Sequence, residues 1–203
     1  MLARTGLYLP SRPSLGVLAL VLLAPLLSAC GYNTIPTAEE SAKAAWSEVL
    51  NQYQRRADLI PNLVETVKGY ASHEKDVLES VVEARAKATQ VTLPPEALSD
   101  PEAFKQYQEN QAQLTGALGR LLAVVENYPD LKANQNFLAL QEELTSTEGK
   151  VAYARQFYND TVLGYNNKLD TFPTVIFARM LNFQRREYFE AEAGAREVPK
   201  IQF

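Results

Sequence analysis

A single histidine and a single cysteine bound the chemistry open to this chain. His73 is followed by Glu74 and, three residues on, by Asp76, a spacing that on a helix would bring a carboxylate toward the imidazole. One imidazole cannot supply the two Glu-x-x-His pairs of a di-iron bundle, so no metal site is expected and His73 reads as a solvated surface residue. Nucleophilic catalysis of the Ser-His-Asp kind meets the same shortage and finds no Gly-x-Ser-x-Gly elbow. Nine glycines without a cluster leave no phosphate-cradling loop. No catalytic residue and no cofactor is therefore expected.

The patterned charges lie elsewhere. Arg55, Arg56, Asp58 and Glu65 surround Pro61, while Gln141, Glu148 and Arg155 stand seven apart, on one line of a helix. Two readings of them stand side by side. As ion pairs and hydrogen bonds between helices they fix the register of a bundle. As a polar groove at a break in the helix near Pro61 they orient a partner peptide or small ligand, the alternative being a ligand-binding protein or an enzyme that uses these carboxylates.

Cys30 has a different task. Arg4 and Arg12 precede the thirteen-residue apolar run Leu15 to Leu27, which is too short for a permanent membrane span and reads as a cleavable signal. Leu27-Ser28-Ala29-Cys30 matches the lipobox of bacterial lipoproteins, which makes Cys30 the lipid-attachment residue and the first residue of the mature chain. Two or three acyl chains, at about 0.8 kcal/mol per buried methylene, hold far more firmly than one. Residues 1–29 are then a signal peptide, 30–36 a lipidated tether and 37–203 the folded domain. Gly31 in place of Asp favours the outer membrane, facing the periplasm, in a double-membraned bacterium.

The whole chain carries 20 basic and 24 acidic residues. Without Arg4 and Arg12 these become 18 and 24, a net charge of −6. No basic run exceeds Arg55-Arg56 or Arg185-Arg186, so nucleic acid is excluded as a partner.

Apolar periodicity supplies the elements that must position these residues. Thr37 and Glu40 have capping-box spacing, which starts a first helix near Ala38 with Ala42, Trp46, Val49, Leu50, Tyr53 and Ala57 on its apolar side. Pro61 denies an N–H to the Ala57 carbonyl, so a kink or restart is expected there with Asp58 as its N-cap, followed by a continuous pattern to about Thr89. Ser99-Asp100-Pro101 caps a second helix that runs to Asn127-Tyr128-Pro129-Asp130. A third spans about Leu131 to Asp170 on a seam of Phe137, Leu140, Leu144, Thr147, Val151, Ala154, Tyr158, Val162, Tyr165 and Leu169. A short fourth runs from Pro173 to Met180, and Phe183, Tyr188, Phe189, Val198, Ile201 and Phe203 pin a tail by single apolar anchors. The echo of Tyr158-Asn159 in Tyr165-Asn166 reads as one seam met twice. The expected fold is all-α, an elongated antiparallel bundle of long helices.

Trp46 and the block Gln54-Arg55-Arg56-Ala57-Asp58-Leu59-Ile60-Pro61-Asn62-Leu63-Val64-Glu65-Thr66-Val67-Lys68-Gly69-Tyr70 resemble the signature of the LemA family. Glu126-Asn127-Tyr128-Pro129-Asp130-Leu131-Lys132-Ala133-Asn134 and the closing Val198-Pro199-Lys200-Ile201-Gln202-Phe203 resemble its other landmarks, in order. The resemblance implies a long-helix bundle on the outer side of a membrane, in a family of envelope proteins without an established reaction. LemA-like proteins commonly begin with an uncleaved membrane-spanning helix, which this sequence replaces with the lipobox signal. Together these features predict a non-catalytic envelope scaffold. Its expected partners are the membrane, through the N-terminal lipid, and another envelope protein or a second copy of itself.

Overall fold

The computed structural model describes residues 33–190, so the expected signal segment, Cys30 and the closing Val198 to Phe203 lie outside the described residues. Within them the chain is all-α and forms no strand. The elements are α1 Thr34–Lys68, α2 Lys75–Gln90, a 3-10 turn Pro95–Ser99, α3 Pro101–Val125, α4 Pro129–Lys132, α5 Gln135–Asp170 and α6 Thr174–Met180. At about 1.5 Å per residue, α1 and α5 each exceed 50 Å. They pack antiparallel along their length: Ile35 meets Tyr165 and Leu169 at one end, and the Asn134 amide donates to the Tyr70 hydroxyl at the other. Below the midpoint, α2 and α3 pack against each other and α2 against α1.

The core follows the long axis in three clusters. Ile35, Ala38, Tyr165, Leu169 and Ala178 fill the end where α1 begins. Trp46, Phe104, Tyr107, Tyr158 and Phe189 form an aromatic centre, with the Trp46 indole donating to the Leu93 carbonyl at 3.0 Å. Ile60, Leu63, Val67, Leu114, Leu121, Phe137 and Leu144 fill the far end. The third-helix seam is buried throughout except at half-buried Leu140.

Three boundaries differ from the expectation. The first helix starts at Thr34 instead of near Ala38, because Pro36 fits harmlessly in a first turn and Ile35 is drawn into the core. The Thr37 hydroxyl donates to the Asn33 carbonyl at 2.7 Å and caps nothing. The pattern drawn as continuous to Thr89 divides at Gly69, where the chain turns and α2 folds back on α1. The sparse apolar spacing between Tyr70 and Leu78 is the mark of that turn. The long helix begins at Gln135 instead of Leu131, because the Asn134 carboxamide accepts the Asn136 and Phe137 N–H groups and makes a new cap. The Asp100 cap lies where the sequence put it, its carboxylate accepting the Glu102 and Ala103 N–H groups at 3.0 and 3.2 Å.

Pro61 gives the largest difference: α1 continues through it without a restart. Asp58 is no N-cap. It lies exposed mid-helix and accepts from the Gln54 amide at 2.8 Å. The Ala57 carbonyl, left without its helical donor, is taken by Arg85 of α2, whose Nε lies 2.7 Å away. A side chain from the neighbouring helix thus replaces the bond that proline removes. Arg85→Met is expected to cost about 1–3 kcal/mol by stranding that buried carbonyl, while Asp58→Ala stays within about 0.5 kcal/mol. Adding Pro61→Ala to Arg85→Met returns an N–H and is expected to recover most of the loss. Urea midpoints of the three variants check this, and equal midpoints for Arg85→Met and Asp58→Ala would refute it.

Candidate functional site

Where α1 crosses the middle of the bundle, consecutive arginines point two ways. Arg55 is exposed and reaches α5, its Nε 2.9 Å from the Glu143 carboxylate, a hydrogen bond that holds the Glu143 carboxyl below its usual pKa. Arg56 points inward and is 2% exposed. Its guanidinium donates to Gln111 and, at 3.1 Å, to Thr115 on α3, lies 3.3 Å from Glu148 on α5, and stacks over the Tyr53 ring at 5.0 Å. Gln111 passes the network on, its amide donating to the Ala88 carbonyl at the end of α2 at 3.1 Å. One side chain thereby joins all four long elements, while its own Nε is buried without a partner among the described residues.

Above this network α3 and α5 stand apart across a groove of about 890 Å³. Ala112, Thr115 and Gly119 line one wall, Leu144, Thr145 and Glu148 the other, and Arg56 lies at the floor. Burial pushes the Tyr107 phenol pKa up, so this hydroxyl beside Gln111 stays protonated.

The groove is closed at one end by the chain itself. After α6, residues 183–190 run extended and antiparallel along α5. The Asn166 carboxamide accepts the Arg186 N–H and donates to the Arg186 carbonyl, both at 3.0 Å. Asn159 does the same for Phe189 at 2.9 and 3.0 Å. The Tyr165 and Tyr158 hydroxyls donate to the Gln184 and Glu187 carbonyls at 2.9 and 3.1 Å. Seven helical residues rise about 10.5 Å and three extended residues span about 10 Å, so a heptad repeat on the helix matches a three-residue repeat on the strand. The Tyr-Asn echo is therefore a ladder for an extended peptide as well as a seam, the functional feature that sequence reasoning missed although its signal was visible.

The sites expected from sequence are distributed over these structures. Arg56 and Glu148 meet at the groove floor. Arg155 stacks over Phe189 at 4.8 Å and donates to the Glu190 carbonyl at 3.1 Å, holding the tail where it reaches the groove. Gln141 is half-buried on α5, its carbonyl accepting the Thr145 hydroxyl. Glu65 is exposed and pairs with Lys68 at 3.5 Å. Asp58 and Glu65 do not converge, so the polar cleft lies between α3 and α5 and not at Pro61. His73 is exposed in the turn before α2, and Glu74 beside it accepts the Tyr128 hydroxyl at 3.0 Å. Among the described residues no group of His, Cys, Asp and Glu is placed to hold a metal, and no helix is long and apolar enough to cross a membrane. Arg186, read from sequence only as part of a basic pair, is buried and ties the tail to Glu39 at 2.7 Å and to Ser99 and the Pro95 carbonyl at 2.9 Å.

The described residues form an all-α helical bundle in which a buried arginine gathers four elements and the tail is laddered onto the longest helix. The LemA family model matches residues 45–203, and the chain belongs to the LemA family. The signature blocks meet in the fold, since Asn134 of the second donates to Tyr70 of the first. Magnetosome protein MamQ of Magnetospirillum gryphiswaldense is 28% identical over 216 residues, covering 95% of this chain and 79% of that protein. MamQ 1 of Paramagnetospirillum magneticum is 28% identical, covering 84% and 68%. Protein LemA of Metamycoplasma hominis is 26% identical, covering 78% and 65%.

Proposed function

We propose that this protein is an envelope lipoprotein held at the membrane through Cys30, and that its bundle binds a protein partner without catalysing a reaction. Membership of the LemA family supports the envelope setting. The observation that carries the binding role is the ladder of α5: this helix already grips an extended backbone, and the groove continues along the same helix past Glu190 toward Val151, Glu148 and Leu144. A guest there is an extended segment of an envelope protein, or of a second copy of this chain. Glu102, Glu109, Glu148, Glu187 and Glu190 outnumber Arg56, Lys105 and Arg155 around the groove, a balance that favours a guest with basic side chains.

The test is in-cell photocrosslinking from Ala112 in the groove and, as a control, from Tyr153 on the opposite exposed flank, in chains with and without Cys30→Ser. The expected result is a discrete crosslinked segment at Ala112 alone, with Cys30→Ser moving the protein to the soluble fraction and abolishing the crosslink. Equal labelling at both positions overturns the groove reading. Membrane retention of Cys30→Ser overturns the lipid anchor.

A further inference from the structure

The end of the bundle where α1 begins is apolar on the outside as well as the inside. Inside, Ile35 and Ala38 pack with Tyr165, Leu169 and Ala178. Outside, Phe172 is 79%, Met180 68%, Ile176 57% and Leu181 48% exposed. These four large apolar residues fall within ten positions, and the i,i+4 pair Ile176 and Met180 lies on the face of α6 opposite buried Thr174 and Ala178. Lone exposed apolar residues need no account, but four on one short segment at the same end of the bundle point to a contact surface. Exposed Arg179 lies among them, a cation suited to lipid phosphate.

What covers this surface follows from where it sits. Asn33 is at the same end and three residues from Cys30, so the chain between them spans at most about 11 Å. A residue 30 held at a bilayer keeps this end within about that distance of it, and the headgroup zone of each leaflet is itself about 5–7 Å thick. We propose that the end formed by Phe172, Ile176, Met180 and Leu181 is a membrane-docking tip, seated in the lipid interface beside the anchor. The bundle then stands out from the bilayer with the groove raised toward solvent. This inference rests on the membrane anchoring proposed above.

The experiment uses the full lipidated chain in vesicles of phosphatidylcholine and phosphatidylglycerol, with and without bromine on the acyl chains. Trp46, the single native tryptophan, is fully buried and provides a constant background. Asn33→Trp reports the anchor, Ile176→Trp the tip and Tyr153→Trp the flank. Ile176→Trp is expected to shift its emission to shorter wavelength and lose intensity in brominated vesicles, while Tyr153→Trp does neither. Quenching at Asn33→Trp with none at Ile176→Trp leaves the anchor standing and overturns the tip. Absence of quenching at both positions means the anchoring reading has failed and the tip with it. An Ile176→Trp signal shielded from lipid and from aqueous iodide alike means that protein covers this end, from residues 1–32 or a second copy, and also overturns the proposal.

Discussion

Arg56→Ala is expected to lower the unfolding free energy by about 3–5 kcal/mol, nearer the lower figure because water still reaches Glu148. The side chain is almost wholly buried, and its removal strands the Gln111 side-chain oxygen Oε1, unpairs Glu148 and opens space beneath the groove. Arg56→Lys is expected to lose much of the same stability, since one ammonium cannot reach Gln111, Thr115 and Glu148 at once or stack flat on Tyr53. Removing both charges with Arg56→Met and Glu148→Leu is expected to do less harm than Arg56→Ala, because a buried ion pair replaced by apolar groups costs little. Urea unfolding of the four proteins measures this, and it separates the two readings of the Arg56 network. A loss below about 1 kcal/mol for Arg56→Ala, joined to loss of the Ala112 crosslink, would make Arg56 a binding residue instead of a keystone of packing.

The fold was legible where one local signal decided the outcome. Asp100 before Pro101 is a cap by its own chemistry, and the seam from Phe137 to Leu169 is buried because its spacing leaves no other solution. Pro61 misled because its consequence is settled at a distance: the donor that the Ala57 carbonyl lacks comes from Arg85, 28 positions beyond Ala57 and in another helix. No window around Pro61 contains that information. Gly69 misled for the reverse reason, since helix propensity there is ambiguous and the reward for turning comes from packing α2 and α3.

The site was legible in part for the same reason. Charges a heptad apart pointed to contacts between helices, and Arg56 with Glu148 is one such contact. The groove was invisible because it arises from α3 and α5 standing apart, a property of the assembly and of no single segment. The Tyr-Asn echo was visible, but its partner is an extended strand with a period of three, which helical periodicity does not register. Arg186 was hidden similarly: a charged residue in an extended tail reads as solvated until the 3-10 turn and Glu39 are brought to it.

Asn166→Leu is the sharpest test of the ladder. Leucine nearly matches the volume but neither donates nor accepts, so the Arg186 N–H and carbonyl both lose their partner in a buried setting. At about 1–3 kcal/mol for each stranded group, the expected loss is about 2–6 kcal/mol. The tail has its own anchors in Phe189 and Arg186, so that loss is expected to surface first as local opening: hydrogen exchange rises at Arg186 to Phe189 before the seam of α5 is affected. The two tyrosines give the ladder a signature in pH. Burial raises the Tyr165 phenol from 10.0 to about 12, so the stability tied to it is complete below pH 10 and is lost as pH rises through about 12. Tyr165→Phe is expected to flatten that alkaline slope. Unchanged exchange at Arg186 in Asn166→Leu would mean that the aromatic anchors alone hold the tail, and the peptide-gripping role assigned to α5 would lose its basis.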